Sequence, residues 1–100
     1  MKNDFNSIIN SNSIVLVYFF ADWCGPCKTL SVLIKEVKDT LGDRLKIVKI
    51  HVDKNQQLAT NYQVRSLPTL LLFKNGKQVW RDSGVPSKEN LIRIIISNNP

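Results

Sequence analysis

Cysteine and histidine are scarce in this chain of 100 residues: Cys24 and Cys27 are the two cysteines and His51 the one histidine. No second histidine or carboxylate cluster stands at ligand spacing near His51, so no metal site is expected and His51 reads as a surface or strand-edge residue. Long apolar runs are missing too. The longest, Ile14 to Ala21, falls well short of the roughly 20 residues that a bilayer-spanning helix requires, so no membrane association is expected. Met1-Lys2-Asn3-Asp4 opens a polar segment with neither an apolar core nor a small-residue cleavage site, which reads as no secretory signal and predicts a cytoplasmic protein. The four glycines form no phosphate-cradling motif, so the chain brings no nucleotide or flavin of its own. Acidic residues are few, eight against fourteen Lys and Arg, for a formal net charge of +6. The basic residues are scattered from Lys2 to Arg93 with acids interleaved. That pattern reads as a solvated basic surface and not as a nucleic-acid face, with steering toward acidic protein partners as the intermediate reading. Repeats, linkers and low-complexity tracts are lacking, and 43% hydrophobic with 22% charged residues is ordinary for one globular domain spanning residues 1–100.

What the chain does have is gathered at Trp23-Cys24-Gly25-Pro26-Cys27-Lys28. The apolar run Ile14 to Ala21 precedes it, and Leu30, Leu33, Ile34, Val37 and Leu41 follow at three- and four-residue spacing. The order is a buried strand, a short turn and an amphipathic helix beginning near Cys24. Pro26 suits the first helical turn, where its missing N–H has no helical partner to lose. Cys24 therefore stands at a helix N-terminus, whose free N–H groups and dipole favour a thiolate. Two intervening residues bring the sulfurs within reach, so the pair alternates between a dithiol and a short-loop disulfide. Cys24, at the helix mouth, is expected to be the exposed attacking group. Cys27, one turn in, is expected to be shielded and to resolve the mixed disulfide. Lys28 has two readings, a solvated lysine or a cation that helps hold the thiolate.

The remaining chain supplies the elements around this centre. Asp4 to Asn10 predicts a short helix with Phe5, Ile8 and Ile9 on one face, ended by Asn10-Ser11-Asn12-Ser13. Gly42 closes the long helix, and Lys46 to Val52 alternates as a strand whose order predicts parallel, right-handed crossover pairing. Asp53 or Asn55 caps a helix that turns Leu58, Ala59 and Tyr62 inward. Leu70 to Phe73 and Gln78 to Arg81 flank Asn75-Gly76 as a hairpin with a type I′ turn. Ser87 caps a last helix carrying Leu91, Ile92 and Ile95, with Ile94 and Ile96 widening its apolar stripe.

Together, Trp23 to Lys28, Ser66-Leu67-Pro68-Thr69, Asn75-Gly76 and Gly84-Val85-Pro86-Ser87 make the chain, from about Asp4 to Ser97, resemble the thioredoxin family. The resemblance implies an α/β thioredoxin fold: three layers, α/β/α, with a central mixed sheet of four or five strands and four flanking helices. It also implies a protein disulfide reductase cycling between the Cys24/Cys27 dithiol and disulfide. Trp23, Gly25, Pro26, Leu67, Pro68, Gly84 and Val85 would line the substrate groove, with a cis Leu67–Pro68 bond exposing the Leu67 backbone to an extended substrate. Reducing equivalents would come from NADPH through a flavoprotein thioredoxin reductase, a partner and not a bound cofactor, and the protein would be a monomer. Three departures stand out. Too few residues precede the first helix for the family's N-terminal strand, which would leave the strand around Lys46 to Val52 at an open edge. Tyr18 occupies the place of the family's buried aspartate, which works near a lysine matching Lys49; a phenol is a poor base at neutral pH. Val32 stands where many members have a kinking proline, so a straighter helix is expected. Three competing uses of the same residues remain: an oxidant or isomerase, a redox-independent binding module, and two chains pooling cysteines around zinc or an iron–sulfur cluster.

Overall fold

A computed structural model describes residues 2–98. Its elements in chain order are α1 (Lys2–Ile9), β1 (Ile14–Phe20), α2 (Gly25–Leu41), β2 (Lys46–His51), α3 (Gln56–Asn61), β3 (Thr69–Lys74), β4 (Lys77–Ser83) and α4 (Lys88–Ser97), with 3-10 turns at Gly42–Arg44 and Val52–Lys54. The four strands form one mixed sheet in the order β2-β1-β3-β4, with β1 parallel to β2 and antiparallel to β3, and β3 antiparallel to β4.

Strand β1 explains the layering. Its alternation sends Ile14, Leu16 and Tyr18 toward the core containing Leu30, Ile34 and Val37 of α2 and Leu91 and Ile95 of α4. Val15, Val17 and Phe19 face the opposite core, with Phe5 and Ile9 of α1 and Ala59 of α3. A strand buried on both faces has no polar side to show, hence its unbroken apolar sequence. Each such side chain contributes about 1.5–3 kcal/mol on burial. Helix α2 runs unbroken through the exposed Val32, as expected of a sequence without proline there.

Helix α1 begins at Lys2 and not at Asp4, so Lys2 and Asn3 are helical too; among the described residues the sheet has four strands. The cause is local. Phe5 and Ile9, one helical turn apart, are both buried, and the Phe5 ring lies 5.4 Å from Tyr62 and 6.0 Å from Phe73. His51 also departs from expectation: its side chain is only 14% exposed, edge-on to Phe20 at 5.1 Å with Nε2 3.2 Å from the Asp22 carboxylate. Strand β2 ends one residue early, Val52 opening a 3-10 turn.

The hairpin turn is as the Asn-Gly pair predicts, with Asn75 at φ 51° and Gly76 at φ 82°. Gly76 has a second reason to be glycine, since a Cβ there would collide with Oδ1 of Asn10 in the α1–β1 connection. The expected result is that Gly76→Ala lowers stability by about 1–2 kcal/mol, from the left-handed backbone and the displaced Asn10 together. Urea unfolding at equilibrium, with the slope unchanged and the midpoint lowered, checks it.

Candidate active site

The site forms where the C-terminal end of β1 meets the N-terminus of α2. Cys24 is the N-cap residue, with an extended backbone at φ −89° and ψ 107°, and Pro26 occupies the first turn. Cys24 and Cys27 are joined as a disulfide with a Cα–Cα distance of 5.4 Å, within the ordinary range for such a bridge. The backbone N–H of Cys27 donates to Sγ of Cys24 at 3.2 Å. One of the helix's orphan donors is thereby pointed at the sulfur, where negative charge is favoured on reduction.

Exposure does not separate the two sulfurs as the sequence suggests. Cys24 is 4% exposed and Cys27 3%, because in the oxidised state both pack with Ala21 against Phe20, Val52 and Leu67. What separates them is position. Cys24 takes the N-cap acceptor role between the exposed Trp23 and Gly25, whereas Cys27 opens on its far side to a cleft of about 420 Å³ shared with Tyr18, Phe20, Lys28, Ser31 and Lys49.

Trp23 is 70% exposed and is held by its indole N–H, which donates to Oδ2 of Asp53 at 3.0 Å. Of the two capping candidates, Asp53 and Asn55, it is Asn55 that stands at the N-cap of α3, its amide donating to His51 O with no side-chain bond to the helix, while the Asp53 carboxylate is turned to Trp23. Across the site the Leu67–Pro68 peptide bond is cis, Leu67 packs on the cysteine cluster, and the N–H of Gly84 donates to Pro68 O at 2.9 Å. Gly84 adopts φ 101° and Val85 is exposed, so the β4–α4 turn is tied to the proline loop. Thr69, which carried no sequence signal beyond its neighbouring proline, is fully buried and bonds Ser66 O at 2.6 Å, bracing the same loop.

Tyr18 is 2% exposed, paired in register with Lys49 of β2 and stacked obliquely on Phe20 at 5.4 Å. Lys49 and Lys28 are exposed at the rim of the cleft. Asp22, also on the rim, is a residue the sequence did not single out; the His51 contact that places it joins positions far apart in the chain.

A disulfide capping a helix beside a cis-proline loop is the arrangement of a known family, and its model matches residues 1–97 under the description Thioredoxin. The chain belongs to the thioredoxin family. It is 46% identical over 85 residues to the thioredoxin of Bacillus subtilis, covering 85% of this chain and 82% of that protein. It is 41% identical over 87 residues to that of Rickettsia typhi, covering 87% and 83%. Among solved structures, a mutant thioredoxin from Halobacterium salinarum superposes with a TM-score of 0.89 at 36% identity, covering 98% of this chain and 85% of the other. The oxidised thioredoxin of Plasmodium falciparum gives a TM-score of 0.83 at 31% identity, covering 100% and 94%. With its Cys24–Cys27 pair this thioredoxin-family chain is a thiol–disulfide oxidoreductase of the disulfide-reductase type. Among the described residues no helix is long and apolar enough to cross a membrane.

The N-cap geometry yields an expected outcome for the reduced protein. Limiting iodoacetamide at neutral pH should alkylate Cys24 on the order of tenfold faster than Cys27, because only the former's sulfur receives a helix N–H. Peptide mass mapping reads the ratio, and equal labelling would contradict the assignment.

Proposed function

We propose that Cys24 is the attacking thiolate and Cys27 the resolving one in the reduction of disulfides in other proteins. Cys24 Sγ attacks one sulfur of the substrate disulfide, forming a mixed disulfide and releasing the other substrate sulfur as a thiolate. Cys27, deprotonated, then attacks Cys24 Sγ, expels the second substrate thiolate and closes the Cys24–Cys27 bond. Two electrons pass from the dithiol to the substrate, and both released thiolates take up protons. The observation that carries this reading is the Cys27 N–H donated to a sulfur at a helix N-terminus, bordered by the exposed Trp23 and Pro26.

In this reading Trp23, Gly25, Pro26, Leu67, Pro68, Gly84 and Val85 form the substrate face, an extended substrate pairing with the Leu67 backbone as a short added strand. The packing of Leu67 on the cysteines and the Gly84–Pro68 bond support it, since both hold the loop close to the disulfide. Lys28, Lys49 and Tyr18 have supporting roles around the cleft behind Cys27. That cleft is roomy enough for water, which would accept the Cys27 proton in place of a carboxylate. Residues 1–100 act as one domain and as a monomer in the cytoplasm. Their electrons come from NADPH through thioredoxin reductase, so that the chain serves electron transport and cell redox homeostasis with no bound cofactor.

Three measurements test this. Cys24→Ser should reduce the rate of insulin disulfide reduction at least about 100-fold, and Cys27→Ser should accumulate a mixed disulfide; a Cys24→Ser variant that keeps biological function although it no longer reduces insulin would favour a binding module. Equilibration with glutathione should place the couple at about −270 mV, the general figure for thioredoxins, whereas about −120 mV would mark an oxidant. Tyr18→Asp should speed mixed-disulfide resolution at neutral pH by about tenfold or more while destabilising the fold by about 3 kcal/mol, through burial of a carboxylate and loss of core packing. Stopped-flow traces showing no acceleration would remove Cys27 deprotonation as the slow step.

A further inference from the structure

Strand β2 stands at the edge of the sheet, paired only with β1 among the described residues, so its outer backbone N–H and C=O groups face away from the sheet. Beside that edge runs a groove against α2, made of three adjoining hollows. The cleft behind Cys27 shares Ser31 and Lys49 with the next, which shares Lys38 and Ile47 with the third. Lys28, Lys35, Lys38, Lys46 and Lys49 line it, against only Asp22 and Asp43. Asp22 is already in contact with His51. The two faces of β2 differ: Ile47 turns to the α2 and α4 core with Lys49 next along that side, whereas Val48 and Ile50 turn to the α1 and α3 core.

We infer that this edge is a docking site for an extended acidic segment of a partner protein, in which acidic and apolar side chains alternate. Added as a strand to β2, such a segment would set its carboxylates toward the lysines of the groove and its apolar residues beside Val48 and Ile50, with backbone hydrogen bonds supplying the pairing. Charge selects this occupant. A second copy would bring its own lysines edge to edge against these, and like charges across a strand pair are unfavourable. Trp23, Leu67, Pro68, Gly84 and Val85 do not line the groove, so a partner held here leaves the substrate face uncovered.

The test uses a fluorescein-labelled peptide of alternating Glu and Val, seven residues long, and a control with Lys for Glu, titrated with the oxidised protein at low salt. The Glu peptide should bind on the order of tenfold or more tighter than the control, and should weaken by a similar factor when salt is raised to about 0.5 M. Its amide shift changes should fall on Lys46–His51. The double variant Lys35→Glu/Lys46→Glu should lose about tenfold in affinity while reducing insulin at the unaltered rate, which separates loss of this site from loss of the enzyme. Equal binding of the two peptides, or shift changes centred on Trp23, Leu67 and Gly84, would overturn the inference. So would equal competition by a DNA oligonucleotide of matching charge, which would mark a general polyanion surface. Concentration-dependent dimerisation through β2 in sedimentation velocity would give the edge to a second copy and overturn it as well.

Discussion

Strand β1 lies between β2 and β3 with side chains packed on both of its faces, so its C-terminal end cannot shift without disturbing two cores at once. The turn that follows inherits this rigidity. Cys24 therefore reaches the N-cap of α2 in one defined geometry, and a free N–H of the first helical turn, that of Cys27, meets its sulfur. The helix would offer N–H groups to any N-cap residue with an acceptor; placing a cysteine there converts a stabilising device into a reactive one. Closing or opening the bridge then changes one short loop whose flanking elements are already anchored. The chemistry depends on that anchoring more than on any single contact around the sulfurs.

The fold was legible because its signals are local and agree with one another. The apolar run Ile14 to Ala21, the helical spacing from Leu30 to Leu41, the Asn75-Gly76 turn and the Ser87 cap each specify an element, and the strand–helix–strand order specifies how β1 and β2 pair. The sequence was less informative where a residue's surroundings come from distant elements. His51 alternates like a strand-edge residue, yet Phe20 and Asp22 enclose it. Asp53 precedes a helix like a cap, but a 3-10 turn intervenes and turns its carboxylate to Trp23. The burial of Cys24 is illegible in the sequence for a related reason: helix position says which backbone groups face a sulfur, whereas burial depends on Leu67, Val52 and Phe20, contributed by other strands and turns.

The disulfide consequently has two unlike sides. On one, Trp23 and the Leu67–Pro68 loop present apolar surface and backbone, held by Asp53 and by Gly84. On the other, Cys27 borders a lysine-rimmed cleft whose floor includes Tyr18. A tyrosine there fills core volume between α2 and β1 without placing a charge among Leu16, Leu30 and Ile34, and so avoids the desolvation that a carboxylate would suffer. On the proposed mechanism, proton transfer at Cys27 is thereby left to solvent in the cleft, and core stability is separated from the rate of the second exchange step.

The open edge of β2 extends the same reasoning to the sheet. An exposed strand edge is a hazard because it templates pairing with any extended chain, and charged side chains near it reduce that hazard. Lys46 and Lys49 serve this end, but lysines oppose pairing only with neutral, apolar or basic strands; toward an acidic strand they act as attraction. Helix α1 sharpens the point, because its buried Phe5 and Ile9 hold the segment before β1 on the opposite face of the sheet from α2, among the residues of β1, β3 and α3. Among the described residues, therefore, only β1 pairs with Lys46–His51 and the outer side of that strand carries no partner, so that one charge pattern both repels the wrong partner and selects the right one.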